Sequence, residues 1–130
     1  MIAALLLLFT GFAADDAPKD VLAFLESTAE ALSNANVRGF CDKFDRGWPG
    51  YQQLHDDVAD LLARAPVGAS IEIIASEGDD QKRSLDLDFL LLIEGFEQRH
   101  AIVKVRLQRQ GKKWKFAAFE PADFFKFSRK

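Results

Sequence analysis

The residues of this chain that have the means for chemistry are few. Tyr51 and His55 stand four apart in "GYQQLHDD", a spacing that puts both on one side of a helix. Asp45 precedes them across the break "RGWPG" and comes near if that turn folds back. An imidazole polarised by a carboxylate can act as a general base, so His55 is the candidate for proton abstraction. Cys41, the only cysteine, falls in an apolar helical pattern, where a thiol packs as a small hydrophobe, and it leaves no intramolecular disulfide to form. His55 and His100 are the only histidines, and no Cys or His cluster has metal-site spacing. Neither a metal nor any other cofactor is expected. "EGDDQK", Glu77 to Lys82, gathers acids without the ligand-rich loop of a calcium hand and reads as a solvated hairpin turn.

Charge argues against one large class of partner. The net charge of −3 gives no electrostatic footprint for nucleic acid. Lys112, Lys113 and Lys115 around Trp114 resemble a stacking platform for a strand, but the solvated basic turn of a hairpin explains them with fewer assumptions. The chain also holds twelve Phe against one Tyr, so hydroxyl donors for acid–base work are scarce.

The elements that must position these groups begin after a leader. The apolar run from Ile2 to Leu8 is too short to span a bilayer, which takes about 20 apolar residues, and small residues at Ala13 and Ala14 suit a signal-peptidase site. Residues 1–14 are therefore expected to be a signal peptide and residues 15–130 a single exported domain, periplasmic or secreted, with no stable membrane insertion after cleavage. From Pro18 onwards Val21, Leu22, Phe24, Leu25, Ala29 and Leu32 recur at helical spacing. Asn36 can cap a short second helix carrying Val37, Phe40, Cys41 and Phe44. After "GWPGY" a third helix presents Tyr51, Leu54, Val58, Leu61 and Leu62 on one side, with Asp56, Asp57 and Asp60 on the exposed side.

Beyond Gly68 the period changes to two. Ile71 and Ile73 begin a strand; Leu85, Leu87, Phe89, Leu91 and Ile93 alternate on a second, and Val103, Val105 and Leu107 on a third. A two-residue turn at Gln110-Gly111 pairs Leu107 with Trp114, Val105 with Phe116 and Val103 with Ala118, giving one apolar sheet face for the helices. The reverse face pairs Asp88 with Lys104 and Asp86 with Arg106 as a charge ladder. Farther along it becomes apolar, with Leu90, Leu92, Ile102, Ala117 and Phe119, a set that calls for cover. Either a second copy of the chain covers it, or the tail carrying Phe124, Phe125 and Phe127 folds back over it.

Three helices followed by a long antiparallel meander, with "GWPGY" entering the third helix and "RLQRQGKKWKFAAFEP" near the end, resemble the nuclear transport factor 2-like (SnoaL-like) superfamily, specifically its small exported bacterial members. The resemblance spans about Pro18 to Phe127 and implies an α+β, cystatin-like cone: helices on the concave face of a curved sheet, a pocket at the wide end, and dimerisation through the outer face. It does not choose an activity, because function lives in sites grafted on a fold. Isomerase-like members pair a buried carboxylate with hydroxyl or acid donors; the inward strand positions here from Leu85 to Ala118 offer no Asp, His or Tyr.

The expected role is a non-catalytic binding module for a small apolar ligand or a protein partner. Pocket walls would come from Phe24, Phe40 and Phe44 on the helices and Phe89, Trp114 and Phe116 on the sheet, with Tyr51 and His55 at the mouth. Leu90, Leu92, Ile102 and Phe119 would form a homodimer interface. The alternatives are a small SnoaL-like isomerase or dehydratase using His55, and an interaction domain whose cone is filled by its own side chains.

Overall fold

A computed structural model describes residues 17–127 of the chain, so the leader expected over residues 1–14 lies outside the described residues. Three helices, α1 (Lys19–Ser33), α2 (Val37–Cys41) and α3 (Tyr51–Arg64), precede four strands, β1 (Val67–Gly78), β2 (Lys82–Ile93), β3 (Arg99–Gln110) and β4 (Lys113–Glu120). The strands lie in sequence order and pair antiparallel throughout. The helices pack on one face of the curved sheet, the α+β cone expected from the sequence.

The caps explain where the helices stop. At the end of α1 the Asn36 amide donates to the Ala31 carbonyl at 2.8 Å and the Ala35 amide to Leu32 at 3.1 Å, with Ala35 at φ 55. This is the paired closure that leaves one left-handed residue after a helix. Asn36 then starts α2, its side-chain oxygen accepting from the Gly39 amide at 2.9 Å. Along α1, Val21, Leu25 and Leu32 are buried, together with Thr28, whose hydroxyl donates to the Phe24 carbonyl at 2.7 Å. Leu22 departs from the expected stripe and is exposed. On α3 Leu54, Val58 and Leu61 are buried as expected, but so is Asp57. Positions 54, 57, 58 and 61 share one stripe of the helix, which buries Asp57, and its Oδ1 accepts from Gln53 Nε2, one turn earlier, at 2.8 Å.

The inward faces of β2 and β3 follow the alternation of the sequence, with every odd position from Leu85 to Ile93 and from Val103 to Leu107 buried. The registers differ from expectation in two places. Asp86 lies opposite Lys104 and Ser84 opposite Arg106, a shift of two residues that keeps every side chain on its expected face. The last hairpin turns at Gly111-Lys112 rather than Gln110-Gly111, because Gln110 pairs with Lys113. Gly111, at φ 68, supplies the positive φ at the first position of a two-residue turn.

Leu107 consequently faces Phe116, and the register then slips by one, leaving Ala117 as the extra residue of a bulge. Ala118 meets Arg106 and Phe119 meets Val105. Phe119, expected on the outer face, is thereby turned inward and fully buried. The tail corrects the second expectation about that face. Phe124 and Phe125 are buried on the helix side of the sheet instead of covering its reverse.

What fills the cone is aromatic. The Phe116 ring lies 4.7 Å from Phe44 and 4.9 Å from Phe24. Phe125 approaches Phe40 at 5.2 Å and Phe119 at 5.4 Å, and Phe89 meets Phe124 at 5.0 Å. These separations fall in the range of attractive tilted and edge-to-face ring pairs.

Candidate functional site

The residues expected to wall a pocket divide into two groups. Phe40, Phe44, Phe89, Phe116 and Trp114 are buried, with Phe24 half-buried against them. The four Phe and Phe24 meet one another and the tail rings directly. Trp114 sits at the rim, where its indole N–H donates to Asp20 Oδ2 at 3.1 Å and the Arg109 guanidinium stacks 4.2 Å above its ring. Arg109 also donates to the same Asp20 oxygen at 2.9 Å, tying the start of α1 to the β3–β4 hairpin. These hydrogen bonds, above all the one from Arg109, hold the Asp20 carboxyl below its ordinary range.

Tyr51 and His55 share one side of α3 as expected, their rings 6.1 Å apart. His55 is half-exposed, and Nδ1 lies 3.3 Å from Oδ1 of its neighbour Asp56, which stands in solvent. Asp45 is turned elsewhere: its Oδ1 accepts from the Gly47 amide at 2.9 Å. The proton-transfer set suggested by the sequence is therefore not assembled around a hollow. Cys41 is buried, and that burial pushes its thiol up to about 11, with the Asp42 charge adding to it. Among the described residues no group of three His, Cys, Asp or Glu could hold a metal ion, and no helix is long and apolar enough to cross a membrane.

The hollows lie outside the cone. A trough of about 570 Å³ runs across the outer face near the hairpin ends, between Glu77, Ser84, Arg106 and Gln108, and meets Trp48 and Pro49 beyond β4. The segment before α3 reaches it because Lys43–Asp45 runs beside β4. The Phe116 amide donates to the Lys43 carbonyl at 2.7 Å, and the Asp45 amide to the Phe116 carbonyl at 2.8 Å. A smaller lobe of about 260 Å³ continues the trough past Ser84 and Arg106 towards Asp86 and Lys104. At the opposite end of the same face, Leu92 and Ile102 are 52% and 51% exposed, leaving an apolar surface uncovered by the chain's described residues. Leu92 also borders a hollow of about 450 Å³ with Gly68 and Phe96. His100 pairs with Asp88 within this end, His100 opposite Leu90 and Asp88 opposite Ile102.

Reading the sequence alone missed the trough. The sequence places Arg106 in a charge ladder opposite Asp86 and Ala118 on the inward face beside Val103, whereas the register sets Arg106 between Ser84 and an outward Ala118. The signal was there in "FAAF": Phe116 and Phe119 are three apart in a strand that otherwise alternates by two, which marks an inserted residue.

No protein-family model matches the sequence, and no curated protein matches it. Solved structures do. An NTF-2 like protein of unknown function from Shewanella oneidensis superimposes with a TM-score of 0.67 at 6% identity, over 77% of this chain and 93% of that one. A cystatin-like protein of unknown function from Nostoc punctiforme gives 0.61 at 13% identity, over 77% and 85%. Bd1075 of Bdellovibrio bacteriovorus gives 0.66 at 14% identity, over 78% of this chain but only 38% of its own length. Helix order, sheet topology and these superpositions agree: the chain has the nuclear transport factor 2-like, cystatin-like cone fold.

Proposed function

We propose that this chain is an exported, non-catalytic interaction domain that uses the outer face of its sheet to hold a protein partner, in the first instance a second copy of itself. Its fold neighbours fit a binding domain. The observation that carries the reading is the placement of apolar surface. Phe124 and Phe125 occupy the cone interior, where a small apolar guest would otherwise sit, while Leu92 and Ile102 remain half in water. Burying such residues stabilises an assembly by roughly 25 cal/mol per Å² of apolar surface removed from water. The hollow beside Leu92 offers a socket for a side chain of the opposing copy. The charged pair Lys104–Asp86, 3.4 Å apart, borders the patch, while His100 and Asp88 pair within it, opposite Leu90 and Ile102.

Sedimentation velocity of the wild-type chain and of Leu92→Glu with Ile102→Glu tests the reading. The wild type should sediment as a dimer and the double variant as a folded monomer, its thermal midpoint lowered by the lost association. A wild-type chain that stays monomeric at high micromolar concentration overturns it.

A further inference from the structure

The polar end of the outer face contains an imbalance that the apolar end does not explain. From Lys104 to Gln108 each residue of β3 has a neighbour on β2 and another on β4, so the register fixes what surrounds these outward side chains. Lys104 stands between Asp86 and Glu120, with acids on both sides. Arg106, the next outward residue, stands between Ser84 and Ala118. Gln108 stands between Lys82 and Lys115. The charge of Lys104 is thus answered within the sheet, and its Nζ donates to Asp86 Oδ1 at 3.4 Å. Among the described residues the Arg106 guanidinium has no ion pair or hydrogen bond.

Small side chains at Ser84 and Ala118, with the bulged Ala117 beside them, leave the floor low on both sides of Arg106, and both lobes of the trough meet there. Arg106, Lys82, Gln108 and Ser84 therefore border one open trough. The acids that border it are Glu77, opposite Ser84 on β1, and Asp45 beyond β4, while Asp86 and Glu120 lie along the smaller lobe. Neighbouring strands are about 4.8 Å apart, so Glu77 and Arg106 flank Ser84 at roughly two strand spacings.

We propose that this trough binds a zwitterionic ligand of the amino-acid or short-peptide class, its carboxylate on Arg106 and its amine towards Glu77. A guanidinium meets a carboxylate through two parallel N–H···O bonds, a geometry that selects a planar anion. The acids at the rim, Glu77 and Asp45, disfavour a polyanion, and a purely apolar guest would leave the Arg106 charge unanswered beneath it. Arg106 and Glu77 lie away from Leu92 and Ile102, so the Leu92→Glu, Ile102→Glu variant separates a failure of this site from a failure of self-association.

The test is a heteronuclear NMR titration of the full chain with trialanine, with trialanine amide, and with inorganic phosphate. Trialanine should shift the backbone amides of Ser84, Arg106, Gln108 and Ala118. Amidating its carboxyl terminus, or changing Arg106→Gln, should weaken binding about tenfold or more, since hydrogen bonds to charged groups are the strong ones. Arg106→Lys should recover part of the loss. Glu77→Gln should weaken trialanine and, by removing a repelling charge, strengthen phosphate. Equal binding of the acid and the amide, shifts confined to other surfaces, phosphate binding as tightly as trialanine, or an Arg106→Gln variant that binds like the wild type would each overturn the proposal.

Discussion

The rings of Phe119 and Phe125 lie 5.4 Å apart inside the cone, joining the last strand to the tail that follows it. Both side chains are fully buried, and Phe125 also touches Phe40 and Phe89. The tail is accordingly part of the core. Replacing Phe125 by Ala should cost about 3–5 kcal/mol, the usual loss for a large ring removed from a packed interior. Urea unfolding measures it, and a loss under about 1 kcal/mol would show that the tail does not pack there.

Ala117 is the extra residue of the bulge in β4. Deleting it removes the bulge and leaves Trp114, Phe116 and Phe119 at strictly alternate positions, so all three keep their inward places and Ala118 stays opposite Arg106. The deletion should therefore cost at most about 1 kcal/mol. Ala117→Ser keeps the residue count and should stay within about 0.5 kcal/mol of the wild type. A loss of more than about 3 kcal/mol on deletion, read from urea unfolding, would mean that Ala117 is not the extra residue of the strand.

Alternation made most of the fold legible. Leu85 to Ile93 and Val103 to Leu107 announce their inner face because a half-buried strand repeats every two residues, and Asn36 announces a cap by its type and place. Registers are less legible, since shifting a pairing by two residues leaves every side chain on the same face; Asp86 opposite Lys104 looks as good as Asp86 opposite Arg106. A one-residue bulge is worse, because everything beyond it changes face. Phe119 was misplaced for that reason. The trough followed it into obscurity: its floor exists because Ala117 and Ala118 lie outward beside Arg106, which no pattern of two could indicate.

Asp20 accepts hydrogen bonds from both Arg109 and Trp114, and its carboxyl is held below the ordinary range. A lowered native value means that the contribution is fully present above the unfolded value, about pH 4, and fades as the pH falls through the native one. Asp20→Asn should therefore be less stable than the wild type at pH 7, with the difference shrinking towards pH 2. Because the Asp20 side chain is half-exposed, the neutral-pH difference should be at most about 1 kcal/mol. Urea midpoints across that range check the sign; a difference that grows on acidification contradicts it.

Cys41 is 2% exposed and its thiol is pushed up to about 11, so the thiolate is scarce at pH 8 in the native protein. An aromatic disulfide reagent should label it only as fast as the chain opens, and rapidly in denaturant. Immediate labelling of the native chain would show that α2 does not shield the sulfur.

Asp57 presents the opposite situation to Arg106, a charge that is buried rather than displayed. It is 8% exposed, Oδ1 accepts from Gln53 Nε2 at 2.8 Å, and Oδ2 has no hydrogen-bond partner. A buried carboxylate with one unanswered oxygen is a standing cost, and the Gln53 amide is the one side chain that reduces it. Gln53→Ala should thus cost about 1–3 kcal/mol in the wild-type background. In an Asp57→Ala background the same change should cost little, since no carboxylate is left to satisfy. The four urea curves close a double-mutant cycle, and a coupling of about 1 kcal/mol or more is expected between two groups in direct contact. If Gln53→Ala costs the same in both backgrounds, the amide does not hold the carboxylate, and the burial of Asp57 must be offset elsewhere on α3.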